Sequence, residues 1–342
     1  MITDLVSDFP PLDYSIWLEK VQAELKGKSL DQFNYMWDGV AISPFEIPAS
    51  NPVLVEGRKD NSWKIGSYVE AYGNRANADL LLALSEGAQS IFMEIGQKPD
   101  WLSLLNKVHL EWIHINFKFS HLGELNSFLQ YQEHIGKELK GSIQVVDIDR
   151  IALFKRLASQ GGWKLLNYEL NDMDSRHALA GIFHQLTRDI SLLSVKNDPL
   201  SVLSRVVIHV RGQNDLILNI SMVRAIRILW KLLMSSAGFE SGYPEIYLIA
   251  HIADNKLQDP FIRSSLVAAS LILGGVDELF IENHNDKHQG RYGRMIQHIY
   301  THEAKLGKVA DPLWGSRVIE HLTDVIVQRV WNESIRLDQL KK

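Results

Sequence analysis

The sequence predicts an α/β fold, a (β/α)8 TIM barrel with an N-terminal extension, and three observations carry that prediction. Eight short segments rich in Ile, Val, Leu and aromatic residues recur between residues 64 and 283, as strands covered on both faces should. Stretches with helical periodicity separate them. The spacing is even and no Gly-rich phosphate turn follows the first segment, which favours a closed barrel over a doubly wound sheet.

Taken in order, residues 1–60 form an arm. Asp13 is placed to cap a helix with the apolar stripe Trp17, Val21 and Leu25, closed by Gly27. An extended stretch over 35–44 and a loop containing Pro and Asn follow. The barrel occupies 61–342, with strands expected at 64–70, 89–95, 113–119, 142–147, 164–170, 205–211, 245–251 and 278–283. Helical patterns at 77–86, 122–133 and 216–234 fall between strands. A last helix over 316–333 is entered through an Asp311-Pro312 turn and capped by Ser316.

Composition narrows the function classes. The chain has 342 residues, 46% apolar and 23% charged, with a net charge of −5, so it exerts no broad electrostatic pull on nucleic acid or an anionic membrane. It has no cysteine, which excludes disulfides, thiolate nucleophiles and Cys-type zinc or iron–sulfur sites. No apolar run approaches the length of about 18 residues needed to span a bilayer. The first ten residues carry Asp4 and Asp8 rather than a basic leader, so a cytoplasmic location is expected.

Thirteen histidines raise the question of a metal. His298 and His302 stand i,i+4 with Glu303 next in sequence, and His284 and His288 share that separation; neither pair has the H-E-x-x-H order, and a solvated helix or loop face is the plainer reading. Asp172 and Asp174 would suit Mg²⁺ at a barrel mouth, but such pairs are common in loops. No metal site is expected.

Three stretches go beyond generic barrel sequence: Ala76 to Ser90, with its Glu86-Gly87-Ala88 turn; Arg224-Ala225-Ile226-Arg227-Ile228-Leu229-Trp230; and Gly307 to Asp324, containing Asp311-Pro312, Gly315-Ser316 and Glu320. Asp259-Pro260-Phe261 with Arg263, and Leu273-Gly274-Gly275-Val276-Asp277, support them. In this order and spacing they resemble the barrel of the methylmalonyl-CoA mutase family over roughly residues 14–335, nearest to its non-catalytic small (beta) subunits. From the residues alone they look architectural. Arg224, Arg227 and Trp230 share one helix face, read as an exposed or interface-lining basic face with an aromatic anchor.

The resemblance implies an adenosylcobalamin-dependent rearrangement of an acyl-CoA, with the pantetheine arm threaded through the barrel axis and a separate domain delivering the cofactor. The family's catalytic Gly-Tyr-His-Met stretch is missing here. The candidates left by residue type are Tyr72, Arg75, His177 and His251 for catalysis and Arg211 for substrate. The family's Asp-x-His-x-x-Gly cobalt-ligand motif is approached by Asp286-Lys287-His288-Gln289-Gly290, with Gly one place early, so no cofactor is expected on this chain. It is expected to support a large catalytic mutase subunit in a heterodimer, or to form a homodimer, with adenosylcobalamin in the assembled complex. The alternatives are a catalytic barrel working with a separate cobalamin-binding chain and a stand-alone acyl-CoA-binding scaffold. The aromatics of the arm, Trp17, Phe33, Tyr35, Met36 and Trp37, are expected to line the subunit interface.

Overall fold

The computed structural model describes residues 14–43, 58–253, 260–282 and 290–339. In the arm, α1 (Tyr14–Glu24) is followed by a single 3-10 turn and a hairpin of β1 (Tyr35–Trp37) and β2 (Val40–Ile42). The expected cap Asp13 lies outside the described residues. The 35–44 stretch is a hairpin rather than a plain extended segment because Asp38 and Gly39 both take positive φ, 49° and 75°, as a two-residue turn of this hand requires.

The barrel strands are β3 (Lys64–Tyr68), β4 (Ser90–Ile95), β5 (His114–Phe119), β6 (Lys140–Val145), β7 (Trp163–Lys164), β8 (Leu166–Leu170), β9 (Val206–Arg211), β10 (Tyr247–Ile252) and β11 (Glu278–Ile281). All pair in parallel in the order β7-β6-β5-β4-β3-β11-β10-β9-β8. β7 and β8 are two halves of one strand interrupted at Leu165. The backbone N–H groups of Leu165 and Leu166 both donate to the Arg205 carbonyl at 3.0 Å, which marks an inserted residue. One half pairs with β6 and the other with β9, so the ring closes as eight strands. Each of the eight expected strand segments is present.

Around the ring lie α2 (Ala76–Ser85), α3 (Trp101–Leu104), α4 (Leu122–Ile135), α5 (Arg150–Leu157), α6 (Arg176–Ser194), α7 (Pro199–Leu203), α8 (Leu216–Ser236), α9 (Pro260–Gly274), α10 (Arg291–His298) and α11 (Arg317–Gln339). Carboxylates start several of them: Asp149 accepts from Ile151 N and Ala152 N, and Asp215 from Leu218 N at 2.9 Å. Each such cap satisfies an orphan donor and contributes about 1 kcal/mol. Ser316 stands just before α11, where its carbonyl accepts from Glu320 N at 2.8 Å.

The Arg224 face corrects the sequence reading. Arg224, Arg227 and Trp230 are buried, not exposed. Arg224 pairs with Asp311 and, at 2.8 Å, with Glu320, which also accepts from Gly315 N. Arg227 donates to the Gly275 and Ile246 carbonyls and to Asp277 at 3.0 Å, while Trp230 Nε1 donates to the Pro244 carbonyl. Three of the stretches that stood out in sequence are therefore one buried lock joining α8, the α9–β11 turn and the approach to α11.

The hairpin is also clasped by its own chain. Asp38 meets Arg176 and Arg329 at 2.6 Å, and β2 lies against α11. Trp37 is 1% exposed within this core, so it has no surface to offer a neighbour, which corrects its assignment to an interface.

Candidate functional site at the barrel mouth

Strand alternation divides the core in two. The larger part lies between ring and helices; a smaller one sits inside the ring, where Phe92, Val207, Ile249 and Phe280 pack with Tyr68 and Tyr247. This apolar layer closes the axis. Polar groups lie on either side of it, so the strands are not apolar on both faces as expected; their inward faces carry Ser90, Asn116, Asn167, His209, His251 and Glu278.

On the N-terminal side the Glu278 carboxylate accepts from Ser90 Oγ, Asn116 Nδ2 and Tyr247 Oη at 2.6–2.7 Å and meets His114 Nδ1 at 2.6 Å. Burial works against its charge, yet these bonds and the His114 charge hold its pKa below the usual carboxylate value. Lys164 faces the Tyr247 ring at 4.9 Å, and burial lowers its pKa to about 8.

Toward the mouth, a hydrogen-bonded column runs from Tyr68 on β3 to Asn167 on β8. Tyr68 Oη lies 2.5 Å from His251 Nδ1, His251 Nε2 lies 2.9 Å from His209 Nδ1, and His209 Nε2 lies 3.0 Å from Asn167 Oδ1. Asn167 Nδ2 donates to the Ile143 carbonyl at 2.8 Å, so its Oδ1 must accept from His209 Nε2–H. Burial lowers the His209 pKa to about 4 and that of His251 well below its ordinary value, so both rings are neutral at pH 7. With one proton each, His209 Nδ1 accepts from His251, and His251 Nδ1 accepts from Tyr68. Burial, followed by the neighbouring Glu282, raises the Tyr68 pKa. Glu282 Oε1 stands 3.1 Å from the phenol oxygen.

Above the column the rim is charged. Glu94 pairs with Lys118 at 3.3 Å, Gln144 donates to Glu169 at 2.8 Å, and Arg211 reaches Glu282 only at 3.9 Å. Beside the axis, between the ends of β8–β10 and the start of α9, lies a cavity of about 640 Å³ whose lining includes Arg211, Asn214, Asp215, Arg263 and Ser264.

Of the sequence candidates, the structure joins His251 to the column and places Arg211 on the rim, puts Tyr72 and Arg75 on the loop after β3 at the same end of the barrel, and sets His177 on an outer helix. The Tyr72 hydroxyl accepts from Gly96 N and Gln97 N, tying the loops after β3 and β4 together. Arg75 is exposed and pairs with Asp79 at 3.6 Å; His177 is an exposed residue on α6, 3.3 Å from Glu333 on α11. Tyr35 donates to Asp215 at 2.5 Å, and Trp17 stacks on Tyr14. Sequence reasoning missed Tyr68, His209, Asn167 and Glu282. Period-two alternation held the signal: in Val206-Val207-Ile208-His209-Val210-Arg211, His209 and Arg211 share a face.

Among the described residues no three potential ligands cluster for a metal. His298 and His302 stack at 5.6 Å, and His298 Nε2 bonds the Glu86 carbonyl. Asp172 accepts from Asp174 N and Gln213 Nε2. His284, Asp286, His288, and Asp259 of the supporting Asp-Pro-Phe stretch, lie outside the described residues. No described helix is long and apolar enough to cross a membrane.

A sequence profile of the family described as methylmalonyl-CoA mutase matches residues 198–340, the part containing Arg224, Arg227, Asp277, Asp311 and Glu320. The methylmalonyl-CoA mutase small subunit of Porphyromonas gingivalis is 23% identical, covering 96% of this chain and 63% of that protein. The methylmalonyl-CoA mutase of Escherichia coli is 33% identical over 129 residues, 34% of this chain and 18% of that one. The chain thus spans less than two thirds of the length of these relatives. Among solved structures, dihydropteroate synthase from Thermus thermophilus superposes with a TM-score of 0.42 at 12% identity, over 75% of this chain and all of that one, and bears on nothing further.

Proposed function

Because this chain belongs to the methylmalonyl-CoA mutase family, we propose that it is a small-subunit-like component of an adenosylcobalamin-dependent methylmalonyl-CoA mutase, non-catalytic alone and supporting a large catalytic chain. The observation that carries this reading is the filled axis. Phe92, Val207, Ile249 and Phe280 occupy the line along which the family resemblance would thread a pantetheine arm. An acyl-CoA cannot pass a layer packed at interior density without displacing it.

The cofactor on this reading belongs to the partner. His209 and His251 are buried and bonded to each other, to Asn167 and to Tyr68, so neither fits as a ligand for cobalt. What the family lock preserves is architecture. A partner held through such a barrel would bury about 2,000 Å² or more in total, the obligate class.

A second reading, a catalytic barrel served by a separate cobalamin-binding chain, draws on one specific observation: the Tyr68–His251–His209 column at the mouth, where barrel enzymes keep their chemistry. The third, a stand-alone acyl-CoA-binding scaffold, needs an axis that opens. One experiment separates the three. The tagged chain is co-expressed with the large mutase subunit of its own host, and complex formation and mutase activity are measured for each chain alone and for the pair. The proposal expects a stoichiometric complex and no turnover by this chain. Turnover by this chain with a separate cobalamin-binding protein establishes the second reading, and acyl-CoA binding without any complex establishes the third.

A further inference from the structure

The cavity beside the axis has a chemistry that the subunit reading does not use. Two guanidiniums, Arg211 from the end of β9 and Arg263 from the first turn of α9, line it together. Arg211 has a long ion pair with Glu282 at 3.9 Å, beyond hydrogen-bond range, and no ion pair joins Arg263 to another described residue. Among the described residues one carboxylate lines the cavity, Asp215, and it is already committed: it accepts the Tyr35 phenol proton at 2.5 Å and caps α8 through Leu218 N. Asn214 and Ser264 add neutral polar groups to the same wall, and Ile252, Ala253 and Val267 supply apolar surface.

Two like charges facing one space repel unless an anion lies between them. Guanidiniums are the side chains best suited to receive one, since their forked N–H groups match the oxygens of a carboxylate or phosphate. The start of α9 adds the positive end of a helix of 15 residues to the Arg pair. The volume, about 640 Å³, lies in the range of small-molecule pockets. Its position excludes a long ligand that continues down the barrel, because the apolar layer of Phe92, Val207, Ile249 and Phe280 closes that route.

We propose that this rim cavity binds a small oxyanion-bearing molecule, its carboxylate or phosphate group held between Arg211 and Arg263. The inference does not rest on the subunit reading, because the cavity is built within this chain and stands whether or not a partner is present.

The test is titration of the purified full chain with inorganic phosphate and, separately, with malonate, by calorimetry and by the shift in unfolding temperature. Sodium chloride at matched ionic strength is the control for non-specific screening. Saturable one-to-one binding of phosphate, malonate or both is expected, and the arm that saturates names the group. Arg211→Gln and Arg263→Gln should each weaken it about tenfold or more, and the double variant should abolish it. Arg75→Gln, an exposed arginine elsewhere, should leave it unchanged. A second readout is arginine-specific modification by phenylglyoxal mapped by mass spectrometry, in which the bound anion should protect Arg211 and Arg263 but not Arg75. The proposal is overturned if neither anion saturates in the millimolar range, or if the double variant, shown to be folded by circular dichroism, binds as the parent does.

Discussion

Replacing Arg224 by Met should destabilise the chain through the two carboxylates it leaves behind. Arg224 is 1% exposed, and the side chains of its partners Asp311 and Glu320 are 3% and 7% exposed. Removing one member of a buried ion pair strands the other charge in a medium that solvates it poorly, at a cost of about 3–5 kcal/mol. A chain of 342 residues has an unfolding entropy of about 0.7 kcal/mol per kelvin, so the apparent Tm should fall by roughly 4–7 °C. Adding Asp311→Asn and Glu320→Gln removes the stranded charges with little change of volume and should restore most of the loss. Differential scanning calorimetry of the parent, the single variant and the triple variant at pH 7 measures both steps. If R224M melts within about 1 °C of the parent, or the triple variant melts lower than the single one, the lock does not act through paired charge.

Acid should unfold the barrel partly through His209, whose pKa burial lowers from 6.5 to about 4. The unfolded chain binds that proton first, so the stability present above pH 6.5 is lost as pH falls toward 4, on the order of 3 kcal/mol. His209→Gln should show a smaller drop in urea midpoint between pH 7 and pH 4.5; an unchanged drop would assign acid sensitivity to other groups. Coenzyme A and adenosylcobalamin should not bind this chain alone at micromolar concentration, as followed by equilibrium dialysis and absorbance, and a stoichiometric complex with CoA would mean that the Phe92–Phe280 layer opens. Deleting 1–45, which would remove Trp37 and Ile42 from this chain's own core, confounds a test of the arm. Deleting 1–28 keeps the hairpin and should still weaken co-purification with a large mutase subunit, whereas undiminished recovery would show that α1 is not the clasp.

The parts of the fold set by local pattern were legible. Short β-branched segments bounded by polar turns marked all eight strands, and Ser316 marked the start of α11. What sits inside the ring was less so, because a strand such as 206–211 reads as apolar until its alternate positions are assigned to opposite faces. His209 joins His251, 42 residues away, and Tyr68, 141 residues away in sequence from His209, so no local window contains the column. Arg224 misled for the same reason. A guanidinium on a helix face reads as solvent-exposed until Asp311 and Glu320, far along the chain, are folded onto it. Tyr72 and Arg75 matched a residue type without a position, and the structure uses them at the loops.

The column of hydrogen bonds inside the barrel has a direction, and a single amide sets it. Asn167 must turn its oxygen toward His209, because its nitrogen is engaged by the Ile143 carbonyl. That choice passes through two neutral imidazoles and obliges the Tyr68 proton to point inward. Turning the phenol outward to Glu282 would require both rings to exchange tautomers and the amide to flip, setting its oxygen against another carbonyl oxygen. With its proton assigned to His251, Tyr68 shows the mouth its lone pairs, and Glu282 Oε1 stands at 3.1 Å as the competing acceptor. A residue three bonds removed from the rim decides what the rim can give away.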